Sequence, residues 1–202
     1  MKDFALLVRP RDRIGPRLAD AVRERVASLD VTAHVTEALP TRRTLIPFRR
    51  TPMVLVTSHS RPTIEAAERA LAPLGPTATS QRTTEVVVPP SGACTLLTLF
   101  RQRPGLDRRE FFRRWYEEHT PMTLEIHPVR GYVRGAVDEH LGGDERWDGI
   151  VTEDFATLSD LTSLRLFGRG AKAIRNAVRV GLHIRTFLDL PSLETYLVQK
   201  VR

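Results

Sequence analysis

The chain has 202 residues, 41% hydrophobic and 27% charged, without a low-complexity tract; this composition excludes a disordered or fibrous chain and fits one large or two small globular domains. Its net charge of +7 divides into +5 over residues 1–92 (14 basic, 9 acidic) and +2 over 93–202 (17 basic, 15 acidic). So thin an excess, without a helix-turn-helix, zinc-finger or RNP-like pattern, gives no reason to expect a nucleic-acid partner.

Cys94 is the single cysteine, so no internal disulfide can form, and its setting in CTLLTLF marks an inert core thiol. The six histidines (His34, His59, His119, His127, His140, His183) are scattered singly, without metal-ligand spacing. No glycine-rich phosphate loop is placed between a strand and a helix, so neither a metal nor a nucleotide or flavin cofactor is expected. The apolar start MKDFALLVRP is too short for a membrane span or a secretion signal. No membrane partner is expected, and the chain is read as cytoplasmic.

In chain order, Phe4–Val8 is a short apolar strand, and Leu18, Val22, Val26 and Leu29 mark one helix face from Pro16 onward. Val31–Val35 alternates as a strand does. Leu39–Pro52, with three prolines and four arginines around Leu45, Ile46 and Phe48, reads as a long loop with a hydrophobic tip. Met53–Thr57 is the next strand. Ser60 caps a helix carrying Ile64, Ala67, Leu71 and Leu74, and Thr77–Val88 follows as a strand after the Gly75-Pro76 break.

Pro89-Pro90-Ser91-Gly92 is the clearest linker. Beyond it the same order returns: strand Cys94–Phe100, helix Asp107–His119, strands Gly131–Val137 and Ile150–Phe155, a helical region from Leu158, and strand Thr195–Val201. Each half matches the split βαβ pattern, in which two helices cover one face of a four-stranded antiparallel sheet. Such a sheet needs a partner for its other face. The expected fold is therefore α+β: two tandem ferredoxin-like (split βαβ) modules, 1–88 and 93–202 around linker 89–92, packed as an intrachain α+β barrel. The two sheets are expected face to face, and a further homodimer is left open.

The helix beginning at Asp107 carries the strongest local signals. Asp107 is a good N-cap, Glu110 has capping-box spacing, and Leu106 and Phe111 are placed to form a hydrophobic staple. Phe111, Phe112 and Trp115 share an apolar face, with Arg108, Arg109, Arg113, Arg114 and Glu117 toward solvent. His119 falls at the border of that face in the last turn expected before Pro121. It reads either as a group pointing into a pocket or as a helix-end or core imidazole.

The run R-P-G-L-D-R-x-E-F-x-R-x-W-x-E-x-H-T-P (103–121), then G-Y-V-R (131–134), W-D-G-I-V (147–151) and F-L-D (187–189), resembles the EthD-domain family of the dimeric α+β barrel superfamily. The likeness covers roughly Thr95 to the C-terminus, and the N-terminal half reads as a divergent second copy. The resemblance implies proton transfer at His119 and a donor phenol at Tyr132. Where relatives read D-G-V, a small residue, then Glu, this chain has D-G-I-V-T-E-D-F, with Thr152 at the glutamate position. Alternation puts Ile150, Thr152 and Asp154 on one face and Val151, Glu153 and Phe155 on the other. Asp154 is the candidate cavity carboxylate, and Trp115, Tyr116, Thr152, His183 and Arg185 are the substrate-binding candidates.

The implied function is a cofactor-free acid–base enzyme, a cyclase, dehydratase or isomerase, acting on a hydrophobic, carbonyl-rich polyketide-like or lactone substrate. The alternatives are a cofactor-independent monooxygenase of the same superfamily and a non-catalytic ligand-binding accessory protein.

Overall fold

A computed structural model describes residues 1–39 and 44–202. The Arg42 and Arg43 part of the basic cluster in the long loop lies outside the described residues.

The N-terminal half contains β1 (Lys2–Val8), α1 (Pro16–Arg25), β2 (Thr32–Thr36), β3 (Val54–Ser58), α2 (Arg61–Leu71) and β4 (Thr77–Val88). The C-terminal half contains β5 (Cys94–Phe100), α3 (Arg108–Phe112), α4 (Thr120–Ile126), β6 (Val129–Gly142), β7 (Gly149–Phe155), α5 (Leu158–Thr162), α6 (Gly170–Ile184) and β8 (Glu194–Lys200). The eight strands pair antiparallel, in the closed order β1-β3-β2-β8-β5-β7-β6-β4. Within it, β4-β1-β3-β2 and β8-β5-β7-β6 repeat the same arrangement.

The two sheets do more than face each other. They join edge to edge, β2 to β8 and β4 to β6, so the barrel closes and no sheet edge is left open. This seam lengthens β6 well beyond the expected 131–137, because Thr79–Val88 holds it in register through three irregularities.

Strand alternation divides the core. Leu6, Val8, Val54 and Val56 point outward to Leu18, Val22, Ile64 and Leu71 of α1 and α2. Ala5, Leu7, Leu55, Leu97, Leu99 and Tyr196 point into the barrel. On the C-terminal sheet's outer face, Phe100, Phe111, Trp115, Tyr132 and Phe187 pack together. Phe100 meets Trp115 edge-on at 4.9 Å, and both rings lie against Gly149, where a Cβ would come within 2.3 Å of Phe100. The glycine of the W-D-G-I-V run is therefore a packing requirement.

The Asp107 cap forms: Oδ1 accepts from the Arg109 and Glu110 N–H groups at 2.9 and 3.1 Å. The reciprocal half of the capping box does not. Glu110 instead accepts from Arg113 and Arg114, two charge-assisted partners that draw its carboxylate away from the cap. The helix also does not end at His119. It passes through a π-helical stretch, Arg113–His119, and continues as α4 to Ile126. The wider turn lets the Thr120 N–H and hydroxyl both reach the Trp115 carbonyl, so Pro121 enters at the first turn of a new register, where its missing N–H costs little.

Candidate active site

Between the outer face of the C-terminal sheet and the helices lies a cavity of about 360 Å³, at the lower end of the roughly 300–1,000 Å³ usual for small-molecule sites. Leu96, Thr98 and Phe100 of β5, Val151 and Glu153 of β7, and Tyr132 of β6 form its floor. Trp115, His119, Thr123 and His127 wall one side, and Val180, Gly181 and Ile184 of α6 another. Leu45, Ile46 and Pro47 from the long loop of the N-terminal half complete the wall. The hydrophobic tip read from the sequence thus becomes part of the cavity, tied down by the Phe48–Thr195 bridge.

The π-helical stretch positions His119 by giving the helix an extra residue per turn at this point. His119 is half-buried with its Nδ1 out of solvent, and desolvation, reinforced by His183 and His127, pushes its pKa down to about 3, so it is a neutral imidazole near pH 7. His183 stacks on it, ring centroids 5.4 Å apart and planes 9° apart. The His183 Nε2 lies 3.1 Å from Glu118 Oε2, and hydrogen bonding to His183 and Arg113 holds the Glu118 carboxyl below its ordinary pKa.

On the floor and on the same wall stand two further residues, Glu153 and His127, that the sequence motifs do not mark. Glu153, in the middle of β7, is 6% exposed and is flanked across the sheet by Leu96 and Tyr132. Its Oε1 lies 3.4 Å from Nδ1 of His127, the residue that closes α4. That separation is an ion-pair distance, and neither His127 nitrogen has a hydrogen-bond partner. His119 Nδ1 and Thr123 Oγ1 are likewise buried and unpartnered. Unpaired buried polar atoms are costly, and several around one apolar cavity are what a ligand bearing oxygens would satisfy.

Tyr132 lies on the cavity floor, fully buried, and burial, with Glu153 adding to it, raises its phenol well above the ordinary value. It stays protonated and able to donate. Trp115 lines the cavity as expected. Tyr116 does not: its ring lies under the Arg134 guanidinium at 3.7 Å, because the extra residue of the π turn rotates it to the seam. Arg185 follows the last turn of α6 as its exposed C-cap, and His183 stands behind His119 without lining the cavity.

Thr152 and Asp154 point the other way, into the barrel. Asp154 accepts from the Thr95 hydroxyl at 2.7 Å and approaches the Gly92 N–H at 3.5 Å, holding the linker over the barrel mouth. Alternation thus divides the two acidic residues: Glu153 lines the helix–sheet cavity, and Asp154 lines the barrel interior. Glu153 is on the cavity face because Val151 and Phe155, its companions in alternation, pack against the helices. A signal for His127 was available only as an isolated histidine six residues beyond Pro121, in a stretch expected to be past the helix.

Around this geometry the EthD domain model matches residues 103–167. The likeness to that family rests on these residues, a stretch of the C-terminal half. The match spans the N-cap, the π-helical stretch with His119, α4, β6 and β7, and includes His119, His127, Tyr132 and Glu153 of the cavity wall. No curated protein matches the chain in sequence. Among solved structures, an anthrone oxidase-like protein aligns over 100% of this chain and 91% of its own, at 12% identity and a TM-score of 0.60. A provisional monooxygenase from Fusobacterium nucleatum aligns over 100% and 92%, at 9% identity and 0.58. A provisional monooxygenase from Lactobacillus acidophilus aligns over 100% and 94%, at 6% identity and 0.52. At such identities the likeness is one of fold, the α+β barrel, with the EthD match in its C-terminal half.

Proposed function

We propose that the chain is an enzyme that binds a hydrophobic, carbonyl-bearing small molecule in the helix–sheet cavity and abstracts a proton next to the carbonyl. The observation that carries this reading is the Glu153–His127 pair in the wall of an apolar cavity that a neutral His119 also lines. In the proposed step the Glu153 carboxylate accepts the C–H proton, and the electron pair moves onto the carbonyl oxygen as an enolate. His127 receives or steadies that proton. His119 and Tyr132, both neutral, donate hydrogen bonds to the oxygen that gains charge. Returning the proton at another carbon gives isomerisation; expelling a leaving group gives dehydration or cyclisation.

A second reading is favoured by the anthrone oxidase-like and monooxygenase neighbours. In it the same enolate, formed from an electron-rich aromatic ketone, passes electrons to dioxygen. Both readings share the deprotonation and part after it. Turnover of anthrone, measured with an oxygen electrode and again anaerobically, separates them. Proton-transfer chemistry proceeds at the same rate without oxygen, whereas stoichiometric oxygen uptake favours the oxygenase. If neither condition accelerates any change in anthrone or related hydroxyaryl ketones, the enzymatic reading fails and a binding role stands in its place.

A further inference from the structure

We propose that α6 docks the protein on an anionic lipid surface. One face of α6 closes the cavity through Val180, Gly181 and Ile184. The other leaves Ile174, Val178 and Leu182 exposed by 60%, 55% and 59%. At about 100° per residue these three form a stripe along the helix, and large apolar side chains in such a row are uncommon on a surface that meets only water.

The charge beside the stripe identifies the occupant. Residues 161–188 contain six basic residues (Arg165, Arg169, Lys172, Arg175, Arg179, Arg185) and no Asp or Glu. Lys172, Arg175 and Arg179 follow the stripe around the same exposed helix surface; Glu125 pairs with Arg179 at 3.2 Å, and Glu118 meets the helix at His183. An apolar stripe bordered by arginine and lysine matches the boundary between acyl chains and anionic headgroups. A second copy of this chain would set one basic border against another. Nucleic acid would leave the apolar stripe uncovered. Leu164 and Leu45, exposed by 44% and 52% at the cavity rim, extend the apolar surface to the cavity itself. A hydrophobic ligand could thus pass from lipid to cavity without crossing water. No helix among the described residues is long and apolar enough to cross a membrane, so the contact is a peripheral one.

The experiment is co-sedimentation of the full chain with phosphatidylcholine vesicles and with vesicles in which about a third of the lipid is phosphatidylglycerol, at low and raised salt. Binding at least about tenfold stronger to the anionic vesicles, weakened by salt, is expected. Val178→Ser with Leu182→Ser should abolish it, as should Lys172→Glu with Arg175→Glu, with circular dichroism confirming that both variants are folded. Equal or absent sedimentation with the two vesicle types overturns the proposal. So does a wild-type dimer in analytical ultracentrifugation that the serine variant converts to monomer, since that places a second copy on the stripe. Because binding is read without turnover, failure of the proposed reaction leaves this test unaffected.

Discussion

The Glu153 carboxylate lies 3.4 Å from His127 Nδ1, a juxtaposition made by the middle of β7 and the C-terminal end of α4. It sets a carboxylate and an imidazole together in the wall of a cavity lined mainly by apolar side chains. If this pair takes the substrate proton, Glu153→Gln should lower turnover by about 10² or more with the fold intact. Asp154→Asn, on the opposite face of the same strand, should leave kcat within about twofold. Steady-state kinetics of the two variants checks this, and the reverse ranking would return the role to Asp154.

His119 links the site to stability. Burial holds its folded pKa at about 3 against an ordinary 6.5, so the unfolded chain binds a proton that the folded chain refuses between those values. Above about pH 6.5 both states are neutral at this site and nothing is lost. As pH falls toward 3 the site reduces stability by up to about 1.4 kcal/mol per pH unit. His34, pushed down to about 4 chiefly by burial, acts in the same direction. Urea unfolding from pH 7.5 to 4.5 should therefore fall less steeply for His119→Phe than for wild type, and parallel curves would contradict the burial argument.

The barrel's interior ion pair offers a test remote from the cavity. Arg82 and Asp3 pair through two hydrogen bonds of 2.8 Å, with Thr84 donating to the same carboxylate at 2.7 Å. Removing one partner strands the other in the barrel, so Arg82→Ala should cost about 3–5 kcal/mol. Chemical denaturation measures it, and a loss under about 1 kcal/mol would mean that water reaches the pair freely.

Gly149 should tolerate no side chain. A Cβ there would meet Phe100 at 2.3 Å and Trp115 at 2.9 Å, so Gly149→Ala should destabilise by about 1–3 kcal/mol and disturb the cavity floor. An unchanged melting temperature would show that the Phe100–Trp115 pair can shift without cost.

Much of this arrangement could be read from the residues because local signals and alternation agree over most of it. The order of strands and helices, the Asp107 cap, the apolar face of Phe111 and Trp115, and the apolar loop tip at Leu45 and Ile46 all follow from short-range patterns. The rest depends on tertiary context. A π-helical stretch leaves no compositional mark, so Pro121 read as a stop and His127 fell outside the helix. Alternation separates Glu153 from Asp154 but does not state which face meets helices and which faces the barrel. That choice is made by the closure of β2 on β8 and β4 on β6, a long-range pairing that neither half encodes alone.

In the proposed reaction the helix–sheet cavity removes a proton next to a carbonyl through Glu153. Deuterium incorporation into the methylene of anthrone, followed by NMR under anaerobic conditions in D₂O, reads that step whatever follows it. The wild-type protein should accelerate exchange above the buffer rate, and Glu153→Gln should reduce the acceleration by about 10². Exchange at the buffer rate with wild type, or equal acceleration by Glu153→Gln, would contradict it.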